Sequence, residues 1–406
     1  MSLKSTENIS VQLKPPVVRA VKKGHPWIFD KGILKQNKPG AAGDLAILYD
    51  QKRSFVGIGL FDPESPIKIR VLHRGKPATL DAEWLKEKLR NIFAVRTELI
   101  NDPKTTGYRL VSGENDGLPG LVVDRYDETL VFKLDTVAWM PHLDHLKSVF
   151  CDLIQPERIV LRISRTVAAS PACPEHLKEG CVVYGPALSG PVVFLENGLK
   201  FEAEPIFGQK TGFFLDQRDN RARVGKLSQG KSVLNVFSYT GGFSLYAASN
   251  GAKSVTSLDL SKPALDSSLN NFELNMENSN ISKTPHYLIC DDAFEALRKL
   301  GDEGRKYGVV ILDPPSFAKK QTDIPGALKA YERLVKLGLG VLEKGGVLVS
   351  ASCSARVSAD TFFNTVMRAA AAAQRPLRII EKTTHAVDHP VGFPEGAYLK
   401  CIFAEA

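Results

Sequence analysis

A cysteine and an aspartate, each directly after an apolar run, are the residues of this chain best suited to chemistry. Asp313 follows YGVVIL and opens an Asp-Pro-Pro-Ser-Phe turn, and Cys353 follows GGVLVSAS. A thiolate is a strong nucleophile, although a free thiol is only a few per cent ionised at pH 7. Pro314 and Pro315 fix the backbone and remove two N–H donors, so the turn presents the Asp313 carboxylate rigidly. The arrangement suits edge-on binding of a planar base, with Phe317 available for stacking.

A purely structural interpretation of these residues stays open. The turn at Asp313 could be a stiff strand exit with Phe317 in the core, and Cys353 could be a small core residue. The chain has six cysteines, none of them in a CxxC pair or at zinc-binding spacing. We therefore expect no metal site and no disulfide framework.

A pair of glycines marks a second group of residues. Gly241 and Gly242 follow the apolar run SVLNVF and allow close backbone approach to a ligand, and Asp259 lies 17 residues beyond Gly242. An acid at that place commonly binds ribose hydroxyls. Asp291 and Asp292 follow the apolar run HYLIC and could accept a hydrogen bond from an adenine amine. Asp259, Asp291 and Asp292 could instead cap the helices that follow them.

These residues indicate an adenosine-type cofactor. A nicotinamide dinucleotide needs a GxGxxG turn for its pyrophosphate, and the turn YTGGFS lacks that spacing. S-adenosylmethionine carries no phosphate and does not need such a cradle. It is the cofactor we predict.

The elements that must position these residues begin near residue 230. Short apolar runs alternate there with amphipathic stretches, which predicts a mostly parallel, doubly wound α/β sheet. Ligands of such sheets bind beyond the carboxyl ends of the strands, where Asp259, Asp313 and Cys353 fall.

Two further domains are predicted before this sheet. The runs VVRAV, DLAILYD, SFVGIGLF and IKIRVL read as strands of a small β-barrel. A helix is predicted over DAEWLKEKLRNIFAVRTELI, and strand-rich sequence continues to residue 205. We predict a β-barrel at 1–75, a central α+β domain at 76–205 and the α/β domain at 206–406.

Charge distinguishes the first of these domains from the rest. Residues 1–75 hold 13 Lys and Arg against 6 Asp and Glu, a net +7 out of +8 for the whole chain. This surplus favours contact with a polyanion, although a merely solvated basic surface would look the same. No apolar run approaches the roughly 20 residues that span a bilayer, and the first residues have no apolar signal-peptide core. We expect a cytoplasmic protein without membrane contact and leave its oligomeric state open, with a homodimer among the alternatives.

Motifs along nearly the whole chain resemble one known family. RAVKKGHPWIFDKGI (19–33), FFLDQRDNR (213–221), NVFSYTGGFSLYA (235–247), DDAF (291–294), DPPSFAKK (313–320), SCS (352–354) and DHPV…PEGAYLK (388–400) occur in order. They resemble the bacterial 23S rRNA cytosine-C5 methyltransferases with an N-terminal PUA domain. The resemblance implies a PUA barrel, a central α+β domain and a class I S-adenosylmethionine-dependent methyltransferase domain that forms 5-methylcytosine in large-subunit ribosomal RNA.

The resemblance also implies roles for residues in these motifs. Cys353 would add to C6 of the cytosine as a nucleophile, and Asp313 would contact the ring and stabilise the charge that develops on it. Lys22, Lys23, Pro314, Pro315 and Phe317 would bind the RNA. The cofactor contacts predicted from these motifs and from the residues at the end of the second strand are Phe214, Asp216, Arg218, Asn235, Phe237, Ser238, Tyr239, Thr240, Gly241, Asp259, Leu260, Ser261, Asp291, Asp292, Ala293 and Asp313.

The sequence departs from many RNA cytosine-C5 methyltransferases at one place. Those enzymes carry a second cysteine after the proline of the fourth-strand motif, where this chain has Pro315 and Ser316. The base that removes the C5 proton is not identified by the sequence. Two alternatives remain: a methyltransferase of an exocyclic amine or guanine N7 that needs no cysteine, and a non-catalytic RNA-binding factor in ribosome assembly.

Overall fold

The computed structural model describes residues 8–406, which divide into two compact units. The first unit contains the chain up to Gly198, Ala203–Leu215 and Val387–Gly396. The second contains Leu199–Glu202, Asp216–Ala386 and Ala397–Ala406. Residues 1–7 lie outside the described residues. Two predictions fall partly on them: the domain at 1–75 and the expectation that the first residues form no signal peptide.

The first unit begins with a six-stranded mixed sheet. Its strand order is β2-β6-β5-β4-β1-β3, in which β1 and β4 are parallel and the other neighbours antiparallel. The elements are β1 (Ile9–Leu13), α1 (Pro15–Lys22), β2 (Trp27–Phe29), β3 (Ile33–Gln36), β4 (Leu45–Tyr49), β5 (Phe55–Phe61) and β6 (Ile67–Arg74).

The strand predicted at VVRAV is wrong, because these residues form helix α1. Pro15 and Pro16 occupy the first helical positions, where a fixed φ and a missing N–H favour a helix start. Val18 and Val21 then fall on one face and are buried. The β-branched valines predicted a strand, but the two prolines and the three-residue spacing between Val18 and Val21 favour the helix.

A five-stranded sheet follows in the same unit, with strand order β11-β10-β9-β8-β7. β9 and β10 are parallel, and the other neighbours are antiparallel. The elements are α2 (Ala82–Ala94), α3 (Thr97–Ile100), β7 (Gly107–Ser112), β8 (Leu121–Tyr126), β9 (Thr129–Leu134), α4 (Leu143–Ile154), β10 (Arg158–Ile163), α5 (Arg165–Ala168), β11 (Cys181–Tyr184) and β12 (Val192–Glu196).

One hydrophobic core joins the two sheets of the first unit. Leu45, Leu60 and Leu72 of the N-terminal sheet are buried in the same cluster as Phe132 and Trp139. Polar contacts accompany this packing: Trp27 Nε1 donates to Glu114 Oε1 at 2.9 Å, and Thr136 Oγ1 donates to Asp62 Oδ2 at 2.6 Å. The N-terminal sheet is therefore stabilised by residues far along the chain.

The second unit is built on a seven-stranded sheet of order β16-β15-β14-β17-β18-β20-β19. The strands are parallel from β16 to β18, and β20 is antiparallel to both of its neighbours. The elements are β13 (Leu199–Ala203), α6 (Arg218–Leu227), β14 (Ser232–Val236), α7 (Gly242–Ser249), β15 (Ser254–Asp259), α8 (Lys262–Glu273), α9 (Ser279–Lys283), β16 (His286–Cys290), α10 (Ala293–Asp302), β17 (Tyr307–Leu312), α11 (Ile324–Gly340), β18 (Leu342–Ser352), α12 (Ala359–Ala372), β19 (Arg378–Thr383) and β20 (Lys400–Glu405).

The doubly wound sheet is as predicted, and its sequence explains it. All six residues of β17 are buried, as expected for a central parallel strand covered on both faces. Helices α8 and α10 begin at caps on Ser261 and Asp292, whose side chains accept from backbone N–H groups in the first turn. The carboxyl ends of β14 to β18 consequently lie along one edge. Among residues 8–406, no helix is both long and apolar enough to cross a bilayer.

Candidate cofactor and catalytic site

The loop after β14 has an unusual backbone. Phe237, Tyr239 and Gly241 all have left-handed φ, of 61°, 48° and 75°. Such a conformation costs on the order of 1–3 kcal/mol for a residue other than glycine and persists only where neighbouring contacts impose it. A Cβ on Gly241 would stand 2.1 Å from Ser268 Oγ, so this position has no room for a side chain.

Asp259 holds this loop against the end of β15. Its Oδ2 accepts from the backbone N–H of Tyr239 at 2.8 Å, and its Oδ1 accepts from that of Ser261 at 2.9 Å. The side chain is half-buried. Each carboxylate oxygen has a further lone pair, so the aspartate could fix the loop and accept from a ribose hydroxyl together.

Two buried hydroxyls lie in the same loop. Ser238 Oγ and Thr240 Oγ1 have no hydrogen-bond partner among the residues that the structure describes. Buried polar atoms are normally paired, so unpaired ones at a strand end mark a place for a ligand. Asn235, also predicted as a cofactor contact, is buried within β14 and donates to Ser244 Oγ at 3.0 Å.

The next two strand ends present an apolar and an acidic group. Leu260 exposes 73% of its surface directly after Asp259. Asp291 accepts from the ammonium of Lys299 at 2.7 Å, and this bond lowers the pKa of the carboxyl. Asp292 caps α10 through its Oδ1, which is the structural role that the sequence left open. Ser261 is exposed beside Leu260, and Ala293 is buried behind Asp292.

Asp313 follows β17 and is held by a glutamine. Gln217 Nε2 donates to Asp313 Oδ2 at 2.9 Å, while Gln217 Oε1 accepts from Asn220 Nδ2 at 2.6 Å. Asn220 Oδ1 in turn accepts from Thr383 Oγ1 at 2.6 Å. Because each side-chain amide is fixed by the next group, this series of hydrogen bonds sets the orientation of the Asp313 carboxylate.

Cys353 lies at the end of the neighbouring strand β18, beside the proline turn. Its Sγ is 4.0 Å from Pro314 O, and the side chain is half-buried and not part of a disulfide. Hydroxyl groups flank it on both sides in sequence. The phenol of Tyr331 contacts Ser352 Oγ at 2.8 Å and Ser354 Oγ at 3.1 Å. The fold therefore brings together the two residues predicted to be catalytic.

The other predicted base contacts differ in exposure. Pro314 is buried and Pro315 is exposed. Phe317 is half-buried, with its ring centroid 5.1 Å from that of Tyr331 and its side chain against the core. Part of that ring is thus used in packing, and its stacking on a base stays a prediction.

The remaining predicted contacts are distributed over both units. In the second unit, Asp216 Oδ2 accepts from the Tyr398 hydroxyl at 2.8 Å, and Arg218 is buried with its Nε 3.4 Å from Asp219 Oδ1. Phe214 belongs to the first unit, where Lys210 Nζ lies 4.2 Å from its ring centroid. Lys22 and Lys23, at the end of α1, are exposed in the first unit.

Sequence reasoning missed two residues of this site, Gln217 and Lys400. Gln217 stands between two predicted contacts, Asp216 and Arg218, but was not itself predicted. Lys400 is a buried lysine whose ammonium contacts backbone carbonyls around Cys353. A charged residue inside the apolar strand AYLKCIFA was the available signal, because lysine is rarely fully buried.

Comparison with known proteins identifies the fold of this site. Residues 184–403 match the S-adenosylmethionine-dependent methyltransferase family, and residues 11–74 match a PUA-like domain. The chain belongs to the S-adenosylmethionine-dependent methyltransferase family. The predicted methyltransferase and PUA-like domains are thereby confirmed, as is the predicted cofactor.

Relatives of this methyltransferase extend over almost its full length. A "Ribosomal RNA large subunit methyltransferase" of Deinococcus radiodurans is 47% identical over 95% of this chain and 94% of its own. A "Ribosomal RNA large subunit methyltransferase I" of Shewanella frigidimarina is 36% identical over 98% and 99%. A solved structure from Streptococcus mutans, named as a SAM-dependent methyltransferase, has a TM-score of 0.81 at 22% identity over 98% of this chain and 100% of its own, which shows the shared fold.

The residues at the strand ends fit S-adenosylmethionine. The methyltransferase offers a half-buried carboxylate at Asp259, unpaired hydroxyls at Ser238 and Thr240, and an exposed apolar side chain at Leu260. These groups suit ribose hydroxyls, an amino acid moiety and an adenine face. The site needs no phosphate cradle, in keeping with the missing GxGxxG spacing.

Proposed function

We propose that this protein methylates C5 of a cytosine in large-subunit ribosomal RNA through a covalent bond between Cys353 and C6. Its relatives' names support the RNA class. The observation that carries the cytosine chemistry is the position of the Cys353 thiol, 4.0 Å from Pro314 O in the turn that Asp313 opens. A methyltransferase of an amine or of guanine N7 needs no thiol at this place.

The proposed reaction assigns one task to each residue. S-adenosylmethionine supplies an electrophilic methyl group when bound. The Cys353 thiolate adds to C6, which makes C5 nucleophilic, and Asp313, protonated and donating to N3, stabilises the negative charge that develops on the ring. After C5 has gained the methyl group, a base takes the C5 proton, the C5–C6 double bond re-forms, and the C6–S bond breaks to release the thiolate.

The proposed cofactor site follows the strand ends. Asp259 would accept from the ribose, Leu260 would pack on the adenine, and Asp291 or Asp292 would accept from the adenine amine. Ser238, Thr240 and the Gly241 backbone would surround the remainder, together with the other cofactor contacts predicted from the motifs. Pro314, Pro315 and Phe317 would contact the base.

We also propose that the division predicted from the sequence describes how function is distributed. Residues 1–75 would attract RNA phosphates through Lys22, Lys23 and their basic neighbours. Residues 76–205 would form a linker domain, and residues 206–406 would catalyse methyl transfer. The surplus of basic residues in 1–75 supports this assignment.

Replacing the thiol tests the proposed chemistry. The wild type and Cys353→Ala are incubated with labelled S-adenosylmethionine and deproteinised ribosomal RNA, and nucleosides are identified by mass spectrometry. We expect 5-methylcytidine from the wild type and a loss of roughly 10³-fold or more in Cys353→Ala, because the covalent route is removed.

Cys173→Ala is the matched control, since Cys173 is a half-buried thiol of the first unit that is not part of a disulfide. It should keep full activity, and Cys353→Ala should still bind the cofactor in calorimetry. An active Cys353→Ala, or a different methylated nucleoside, would favour methylation of another base atom. A wild type that binds RNA but methylates none would favour the non-catalytic assembly factor.

A further inference from the structure

A buried lysine stands behind the candidate nucleophile. Lys400 opens β20 and faces Ser352 in the antiparallel register with β18. Only 2% of its surface is exposed. Its Nζ donates to three backbone carbonyls, those of Ser354 at 2.5 Å, Val357 at 2.7 Å and Tyr398 at 3.1 Å. The ammonium therefore clamps the segment that directly follows Cys353.

This ammonium has no carboxylate partner among residues 8–406. Burial lowers the pKa of Lys400 to about 8, while its charge interaction with Cys353 acts in the opposite direction. At pH 7 the amine is therefore still mostly protonated. A buried charge without a counter-ion is costly, so a negative charge on the neighbouring sulfur would be stabilised by it.

Two other titratable groups near Cys353 carry no positive charge. Tyr331 approaches from α11, and burial raises the pKa of its phenol, so that it stays neutral at pH 7. Asp313 approaches from the end of β17 and carries no positive charge in either protonation state. Lys400 is a cation that the strand order β17-β18-β20 places beside the thiol.

We propose that Lys400 is a positioning residue whose buried charge stabilises the thiolate of Cys353. The proposal rests on the proposed role of Cys353 as nucleophile and goes beyond it, because it names the group that ionises the thiol. The proton leaves the sulfur for water before the sulfur adds to C6, and Lys400 keeps its own proton throughout. The carbonyl clamp holds the ammonium in place during this cycle.

The pH dependence of thiol alkylation measures this effect directly. The full-length protein is treated with iodoacetamide between pH 5.5 and 9.5, and alkylation is read by mass spectrometry on the peptide that contains Cys353. The exposed Cys290 serves as the internal reference. In Lys400→Met we expect the rate of Cys353 alkylation at pH 7 to fall about tenfold relative to that of Cys290. The midpoint of the curve of Cys353 alkylation rate against pH should move by about one pH unit to the alkaline side.

Two further variants separate charge from bracing. Lys400→Gln keeps a donor for the carbonyls without the charge and should resemble Lys400→Met, whereas Lys400→Arg keeps the charge and should stay close to the wild type. If Lys400→Gln alkylates like the wild type, Lys400 only braces the segment and the proposal is overturned. Should Lys400→Met not fold, as judged by thermal unfolding and cofactor calorimetry, the Gln and Arg variants decide by the same comparison.

The experiment is independent of the methylation assay, because alkylation requires neither RNA nor cofactor. An alkaline shift in Lys400→Gln without any 5-methylcytidine from the wild type would sustain the thiolate pairing and refute the cytosine chemistry. An unchanged profile with normal 5-methylcytidine formation would refute the pairing alone.

Discussion

At the scale of single residues, Leu260 occupies a position that folding alone does not explain. It follows Leu258, which is fully buried, and Asp259, which holds the cofactor loop, yet 73% of its own surface is exposed. A large apolar side chain at the edge of a binding site commonly covers an apolar ligand surface. Its exposure therefore fits a contact with the adenine ring.

Replacing Leu260 by alanine should weaken cofactor binding without destabilising the protein. Loss of about 1 kcal/mol of apolar contact corresponds to a roughly fivefold higher Kd for S-adenosylmethionine, measured by calorimetry. Met276→Ala is the control, because Met276 is also exposed (51%) but lies beyond α8. Equal Kd values for the two variants would speak against the adenine contact.

The sequence could predict residues whose chemistry shows in their type and position after a strand. Asp313 and Cys353 were found in this way, and the fold does bring them to adjacent strand ends. Gln217 could not be found, because its bond to Asp313 joins residues 96 positions apart. Contacts of that separation depend on how helices pack on the sheet, which local patterns do not encode.

At the scale of elements, the loop after β14 concentrates backbone strain. Phe237 and Tyr239 adopt left-handed φ without being glycine, and Gly241 packs directly on Ser268 of α8. The bond from Tyr239 N to Asp259 compensates part of this strain. The loop is thus held ready in one shape by its neighbours.

Gly241→Ala should disturb this loop far more than a matched change elsewhere. Gly251 also has left-handed φ, of 80°, but a Cβ there would meet nothing within 4 Å. We expect Gly251→Ala to cost about 1 kcal/mol of unfolding free energy, and Gly241→Ala to cost more and to weaken cofactor binding at least tenfold. Thermal unfolding and calorimetry on both variants measure this, and equal effects would show that Ser268 yields.

Element type was predictable where the apolar pattern was unambiguous. The alternation of buried runs and amphipathic stretches predicted β14 to β18 and the helices α7, α8, α10 and α11, whereas α6, α9 and β19 were not predicted. The pattern failed at VVRAV, where β-branched residues form α1 after two prolines. The left-handed backbone of Phe237 and Tyr239 had no local signal, since it is imposed by contacts with β15.

At the scale of the whole molecule, the basic N-terminal region is structurally tied to the centre of the chain. Leu45, Leu60 and Leu72 are buried with Phe132 and Trp139 in one core. Deleting residues 1–75 would expose that core, so a deletion cannot isolate the contribution of charge. Surface substitutions are the appropriate test.

Charge reversal of Lys22 and Lys23 should weaken RNA binding through electrostatics alone. If both contact phosphates, their loss reduces the slope of log K against log salt by about 1.5 and leaves cofactor affinity unchanged. Reversing Lys283 and Lys344, which are exposed in the second unit, is the matched control. Filter binding over a salt series distinguishes the pairs, and identical slopes would refute a phosphate contact at α1.

The segment Val387–Gly396 belongs to the first unit although it lies nearly 200 residues beyond Gly198. Asp388 accepts from the backbone of Arg109 and from the guanidinium of Arg96, and Asn115 accepts from Gly392 N. During translation at about 5–20 residues per second, roughly 10–40 s must pass between the synthesis of residue 198 and residue 396. Throughout that interval the nascent first unit lacks these contacts, so its hydrogen bonds are completed only after most of the second unit has been synthesised.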